Sequence, residues 1–161
     1  NNALFWYSKG LTLSKPNRHD DAIIAYKESL KINAEDADVW RNMAIDLFSH
    51  KQFLEAKEAC DNVLQMNPFN FKTMIIMAFS LYFLGLESDA LLFFDRALTV
   101  KPDFVEAWIG VGYLLLRIGQ IHDAYEAFEN AYFYDQNSEI GLFGKVALLF
   151  WPSLLERGHS L

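Results

Sequence analysis

The chain has a single cysteine, Cys60, in 161 residues. One thiol excludes an internal disulfide framework and any zinc site built on cysteines. Positive charge is scarce as well: 14 Lys and Arg stand against 21 Asp and Glu, a formal net charge of −7. A phosphate backbone is held by clustered Lys and Arg. No such cluster is present, so nucleic acid is not an expected partner. No apolar run reaches the roughly 18 residues that a membrane-spanning helix needs. The longest, Ile140 to Trp151, is shorter and is interrupted by Lys145, so no membrane span is expected. No glycine-rich phosphate loop occurs, because Gly110, Gly112 and Gly119 fall in a helical pattern and its turn rather than after a strand. His19, His50, His122 and His159 are scattered, and no pair has metal-ligand spacing on one helix face. They read as solvated side chains, and no metal, cofactor or catalytic constellation is expected. The chain has no initiator Met and no signal peptide. It starts and stops mid-pattern and reads as a piece of a longer polypeptide. Its lone, buried cysteine sits most easily in a reducing, cytoplasmic setting.

What the chain does have is apolar bulk and a period. Apolar residues make up 52% of it and aromatics 16%, enough for a large core. Trp6, Trp40, Met74 and Trp108 are spaced by 34 residues. Gly10, Ala44, Ala78 and Gly112 keep the same step, as do Ala22, Ala56, Ala90 and Ala124, and then Tyr26, Cys60, Phe94 and Phe128. A fixed period in this range signals stacked helical pairs rather than one globular core. Within a unit, Trp108, Val111, Gly112 and Leu115 have the spacing of one helix face, and Ala124, Tyr125, Phe128, Ala131 and Tyr132 that of a second. Asn17, Gly85 and Gly119 mark the turn between them and tolerate positive φ. Lys51 holds that place in the second unit, so strain is expected there. The small residues let paired helices approach closely. Pro68 and Pro102 separate units, and Asp89 and Asp123 sit early in second helices, where a carboxylate meets the positive end of the helix dipole.

The order Trp, Gly or Ala, Ala, aromatic, Ala and Pro on this period resembles the tetratricopeptide repeat family. The fourth unit shows it best, in Trp108, Gly112, Ala124, Phe128 and Ala131. The resemblance implies an all-α, right-handed superhelical solenoid of antiparallel helix pairs, about four and a half units long. The units are 3–36, 37–70, 71–104, 105–138 and a partial fifth over 139–161. Ser29 and Val63 depart from the late alanine, and Ala34 and Gln136 from the closing proline. The fifth unit, with Phe143, Phe150 and Trp151 outward, lacks the polar face of an end unit. Some members of the family clamp a C-terminal carboxylate with Lys, Asn, Asn, Lys and Arg. The matching places here hold Tyr7, Leu11, Asn42, Lys72 and Ile76, of which only Asn42 and Lys72 agree, so a five-point clamp is not expected.

First helices of this family line the concave side. At roughly 100° per residue, the side chains opposite the core face are then identifiable. They give a groove with an apolar floor of Ile45, Ile75, Ile76, Phe79, Phe83, Ile109, Tyr113 and Phe143. Arg41, Asn42 and Lys72 stand at its polar margins, and Gly110 and Gly144 leave room for a ligand backbone. The expected function is a non-enzymatic protein–protein interaction scaffold. Its partner would be a protein or peptide with apolar anchors, helical or extended. Two other readings stay open: a self-association module whose groove and uncapped end are buried in a homo-oligomer, and a regulatory or recruitment domain of a larger enzyme.

Overall fold

The computed structural model of the chain describes residues 2–16, 18–137, 139, 141, 142 and 144. Asn17 and most of the expected fifth unit, including Phe150, Trp151 and Pro152, lie outside the described residues. The described residues are all-helical and hold eight α-helices. In chain order these are α1 (Asn2–Ser14), α2 (His19–Ile32), α3 (Ala37–Ser49), α4 (Phe53–Met66), α5 (Phe71–Phe83), α6 (Glu87–Val100), α7 (Val105–Arg117) and α8 (Ile121–Tyr134). Each first helix has 13 residues and each second helix 14. Helices this short are marginal alone, so their stability has to come from pairing.

The chain divides into two compact units between Ala97 and Leu98, inside α6. In the first unit α1 packs on α2 and α3 on α4, while α2 meets α3 and α4 meets α5 to link successive pairs. Phe79 of α5 meets Phe94 of α6 edge-on, with ring centroids 5.0 Å apart. In the second unit α7 packs on α8.

The small residues work through a ring sixteen places later. A Cβ on Gly10 would clash with the ring of Tyr26, and one on Gly112 would lie 2.7 Å from the ring of Phe128. Tyr26, Phe94 and Phe128 are among the largest fully buried side chains. In the second pair the corresponding residues are Ala44 and Cys60, both fully buried. The added methyl on the first helix is offset by a smaller side chain on the second.

The indole N–H groups of Trp40 and Trp108 donate to the carbonyls of Ala34 and Pro102, each at 2.8 Å. Those carbonyls hold the same place in the first and third repeats, so the tryptophans pin the segments that lead into α3 and α7. Asp36 and Asn70 cap α3 and α5 through their side chains, satisfying amide donors that a helix start leaves free. The Ser29 hydroxyl, on the place of the late alanine, donates to the Ala3 carbonyl at 2.8 Å and ties α2 back to α1.

The turn between paired helices needs positive φ, and Gly85 (φ 77) and Gly119 (φ 82) supply it. Lys51 sits there at φ 61 and is the one positive-φ residue other than glycine among those described. The left-handed region costs an L-residue about 1 kcal/mol. Lys51→Gly removes that cost, and Lys51 is exposed, so little packing is lost. The expected result is a rise of about 0.5–1 kcal/mol in unfolding free energy by urea denaturation.

Candidate functional site

Of the residues expected to line the groove, Arg41, Asn42 and Ile45 lie on α3, and Lys72, Ile75, Ile76, Phe79 and Phe83 on α5. Helix α3 packs beside both α1 and α5, so the outward faces of these three helices adjoin within the first unit. Two large apolar side chains stand open on that face: Ile45 is 43% exposed and Phe83 54%. Ile76 and Phe79 are half-buried, and Lys72 is exposed. Ile75 departs from the expectation. It is only 8% exposed, because α5 is packed on α4 as well as against α6 and has a wider buried arc than one helix pair needs.

The polar margin is engaged within the chain. Arg41 pairs with Asp38 at 2.9 Å. The Asn42 amide donates to the Tyr7 hydroxyl at 2.9 Å and to the Asp38 carbonyl at 2.8 Å. Both amide hydrogens are therefore spent, and Asn42 has its carbonyl oxygen left to accept a bond.

An aromatic knot supports the apolar part. Phe83 stacks on Phe53 at 4.6 Å with the ring planes 11° apart. Phe48 completes the group, 5.5 Å from Phe53, 5.9 Å from Phe83 and 6.4 Å from Phe79. Phe53 opens α4 and is not a first-helix residue. A reading confined to first helices therefore misses it, although its place right after the turn was visible in the sequence.

In the second unit Ile109 is half-buried and Tyr113 is 44% exposed. The Tyr113 ring meets Phe128 edge-on at 5.5 Å. Phe143 lies outside the described residues. Gly110 and Gly144 are not the open places expected for a ligand backbone. Gly110 is buried in α7, and a Cβ on Gly144 would lie 2.5 Å from the Phe128 ring. Gly144 therefore serves packing.

A polar cluster in the first unit went unrecognised in the sequence. Asp46 of α3 is 1% exposed. Its Oδ1 accepts from the Ser14 hydroxyl at 2.7 Å and faces Nδ1 of His19 at 2.6 Å. His19 is thus a partly buried partner rather than a solvated histidine. Beside it, His50 approaches Asp20 at 3.4 Å, and the two imidazole rings are 6.4 Å apart. Burial, and next the Asp46 carboxylate, push the Tyr26 phenol above its usual range. Oδ2 of Asp46 has no hydrogen-bond partner among the described residues.

Ser14 donates to a carboxylate and not to an imidazole, so the serine–histidine pairing of serine nucleophiles is not formed here. The cluster instead joins the end of α1, the start of α2 and the last turn of α3. Its sequence signal was a run of polar residues at one place of the repeat: Thr12, Asp46 and Ser80. Thr12 and Ser80 spend their hydroxyls on carbonyls four residues back, and Asp46 bridges between helices.

Cys60 is fully buried. Burial, with a smaller push from Asp61 that Lys57 opposes, raises its thiol to about 12. It packs and does not react at neutral pH. Among the described residues no group of three or more His, Cys, Asp or Glu is arranged to hold a metal ion, and no helix is long and apolar enough to cross a membrane.

Helical pairs in series, keyed by a small residue against a ring, define a class of repeat protein, and comparison with known proteins agrees. A sequence model described as tetratricopeptide repeat matches residues 3–36. Among curated proteins, the BBSome complex member BBS4 of Bos taurus is 27% identical over 118 residues, which is 73% of this chain and 22% of that protein. Among solved structures, MamA superposes with a TM-score of 0.84 at 16% identity, covering 90% of this chain and 85% of MamA. The first tetratricopeptide domain of Spaghetti (RPAP3), bound to the HSP90 peptide SRMEEVD, superposes at 0.70 with 21% identity, covering 73% of this chain and 93% of that one. Residues 3–36 thus match the tetratricopeptide repeat family, and the paired helices along the chain are similar in arrangement to those of solved tetratricopeptide repeat structures. That family is one of scaffolds that mediate protein and peptide binding and are typically non-catalytic. The chain spans a quarter or less of the length of the curated relatives it matches.

Removing one partner of a buried pair leaves the other without compensation. Asp46→Ala strands His19 and Ser14, and a loss of about 2–4 kcal/mol in unfolding free energy is expected. His19→Gln, at a side chain 18% exposed, costs less. Urea denaturation of both variants checks the order.

Proposed function

We propose that this chain is a non-enzymatic interaction module that takes up an apolar helical or extended peptide on the joined face of α1, α3 and α5. The observation that carries this reading is the pair Ile45 and Phe83, open on adjacent helices and backed by the Phe48–Phe53 knot. A solvated helix face holds polar side chains, whereas here two large apolar groups stay in water on a rigid support. Burying one large apolar side chain of a ligand contributes about 1.5–3 kcal/mol, so two or three anchors reach micromolar affinity after ordering costs. Lys72 and the free carbonyl of Asn42 would orient the ligand at the margin. The solved neighbour that holds an HSP90 peptide lends the general mode of binding. The ligand class differs, because only Asn42 and Lys72 match the carboxylate-clamp places. In the longer proteins to which such segments belong, the module would recruit partners.

Phage display of helical and extended peptides tests this directly. Selected peptides are expected to share two or three large apolar residues. They should lose affinity at least tenfold on Phe83→Glu combined with Ile45→Glu, with the far-UV circular dichroism unchanged. Equal binding to both forms contradicts the assignment. Sedimentation across a concentration range tells ligand capture from self-association: a dimer held through this face would dissociate in the same double variant.

A further inference from the structure

The first unit carries a second concave feature, on the other side of α3. A cleft of about 690 Å³ lies between α2 and α4 with α3 as its base. Leu30, Met43 and Leu47 form an apolar floor, and Trp40 lines it as well. The Trp40 N–H is already spent on the Ala34 carbonyl, so its half-buried ring offers an occupant only apolar contact.

The walls differ in sign. Lys27 and Lys31 line the α2 side, and Glu55 and Glu58 the α4 side. Each pair is spaced by one helical turn and so stands on one face of its helix. Lys31 pairs with Glu28 on its own helix at 2.5 Å. Lys27, Glu55 and Glu58 are exposed and make no ion pair among the described residues. Opposite charges thus face each other across an apolar floor without closing on one another.

We propose that this cleft docks a helical segment of a partner protein that carries one apolar ridge, with an acidic row on one flank and a basic row on the other. Its volume suits a few side chains rather than a whole domain. The turn-by-turn spacing of both charged walls matches the spacing of side chains along a helix. The acidic flank lies toward α2 and the basic flank toward α4, so the charge order also fixes the direction in which the segment runs.

At about 100° per residue, Trp40, Met43 and Leu47 point roughly opposite to Arg41, Asn42 and Ile45 on α3. Occupation of the cleft is therefore independent of the peptide face proposed above, and the two sites can be filled at once.

The test uses three synthetic helical peptides of one length and one leucine ridge. One has a glutamate flank and a lysine flank, one has glutamate on both, and one has lysine on both. Titration calorimetry against this chain should rank the mixed peptide at least tenfold tighter than either uniform one. Amide chemical shifts should move at Leu30, Met43 and Asn62. Glu55→Lys with Glu58→Lys makes both walls basic and should turn the preference to the all-glutamate peptide. These two residues are exposed, and circular dichroism should confirm an unchanged fold. The proposal is overturned by equal affinities for the three peptides, by no binding below about 1 mM, or by an unchanged ranking in the charge variant. It is also overturned if Phe83→Glu, rather than the charge variant, removes mixed-peptide binding, which would put the peptide on the α1–α3–α5 face.

Discussion

The ring of Tyr26 occupies the space that a side chain on Gly10 would need, and the ring of Phe128 does the same to Gly112. This contact sets how closely two paired helices approach, and most other features follow from it. A close pair buries one face of each helix, and links from α2 to α3 and from α4 to α5 bury a second. The first helices then have one outward arc left, and on that arc stand Ile45 and Phe83. The function proposed for the chain is thus a residue of its packing: the face not consumed by the helix pair or by the next repeat is the face available to a partner.

Much of the fold was legible because the repeat states each requirement several times. A glycine at one place is ambiguous, whereas glycine or alanine at four equivalent places, followed at a fixed distance by a large ring in three of them, specifies a close crossing. The strain at Lys51 was legible for the same reason, since its equivalents are one asparagine and two glycines. The individual exceptions were harder. Ile75 reads as outward from helical angle alone, but α5 is packed on more than one side and the residue is buried. Gly110 and Gly144 read as openings and are buried. Asp46 was not singled out, because nothing local shows that Ser14 and His19, more than 25 residues earlier in the chain, fold onto it.

The same limit applies to the candidate site. Periodicity names the residues that can face outward, and whether a given one stays open depends on its neighbours. Phe79 and Phe83 are four residues apart on one helix. Phe79 is half-buried against Phe94, and Phe83 leans on Phe53 and remains more than half exposed. The apolar wall is therefore narrower than helical angle implies, with a rigid aromatic base and a small open crest. Such a surface favours a ligand with a few well-placed apolar anchors over a long greasy strip. Charge belongs to the rest of the unit: a neutralised margin around Arg41 and Asn42, and two walls of opposite sign across the α2–α4 cleft.

The most direct measurement is an amide chemical-shift map of the chain with a display-selected apolar peptide. The account predicts perturbations concentrated at Ile45, Ile76 and Phe83, spreading to Phe48 and Phe53, with Ala59 and Asn62 unmoved. Saturating binding that leaves α3 and α5 unperturbed on that face would contradict it.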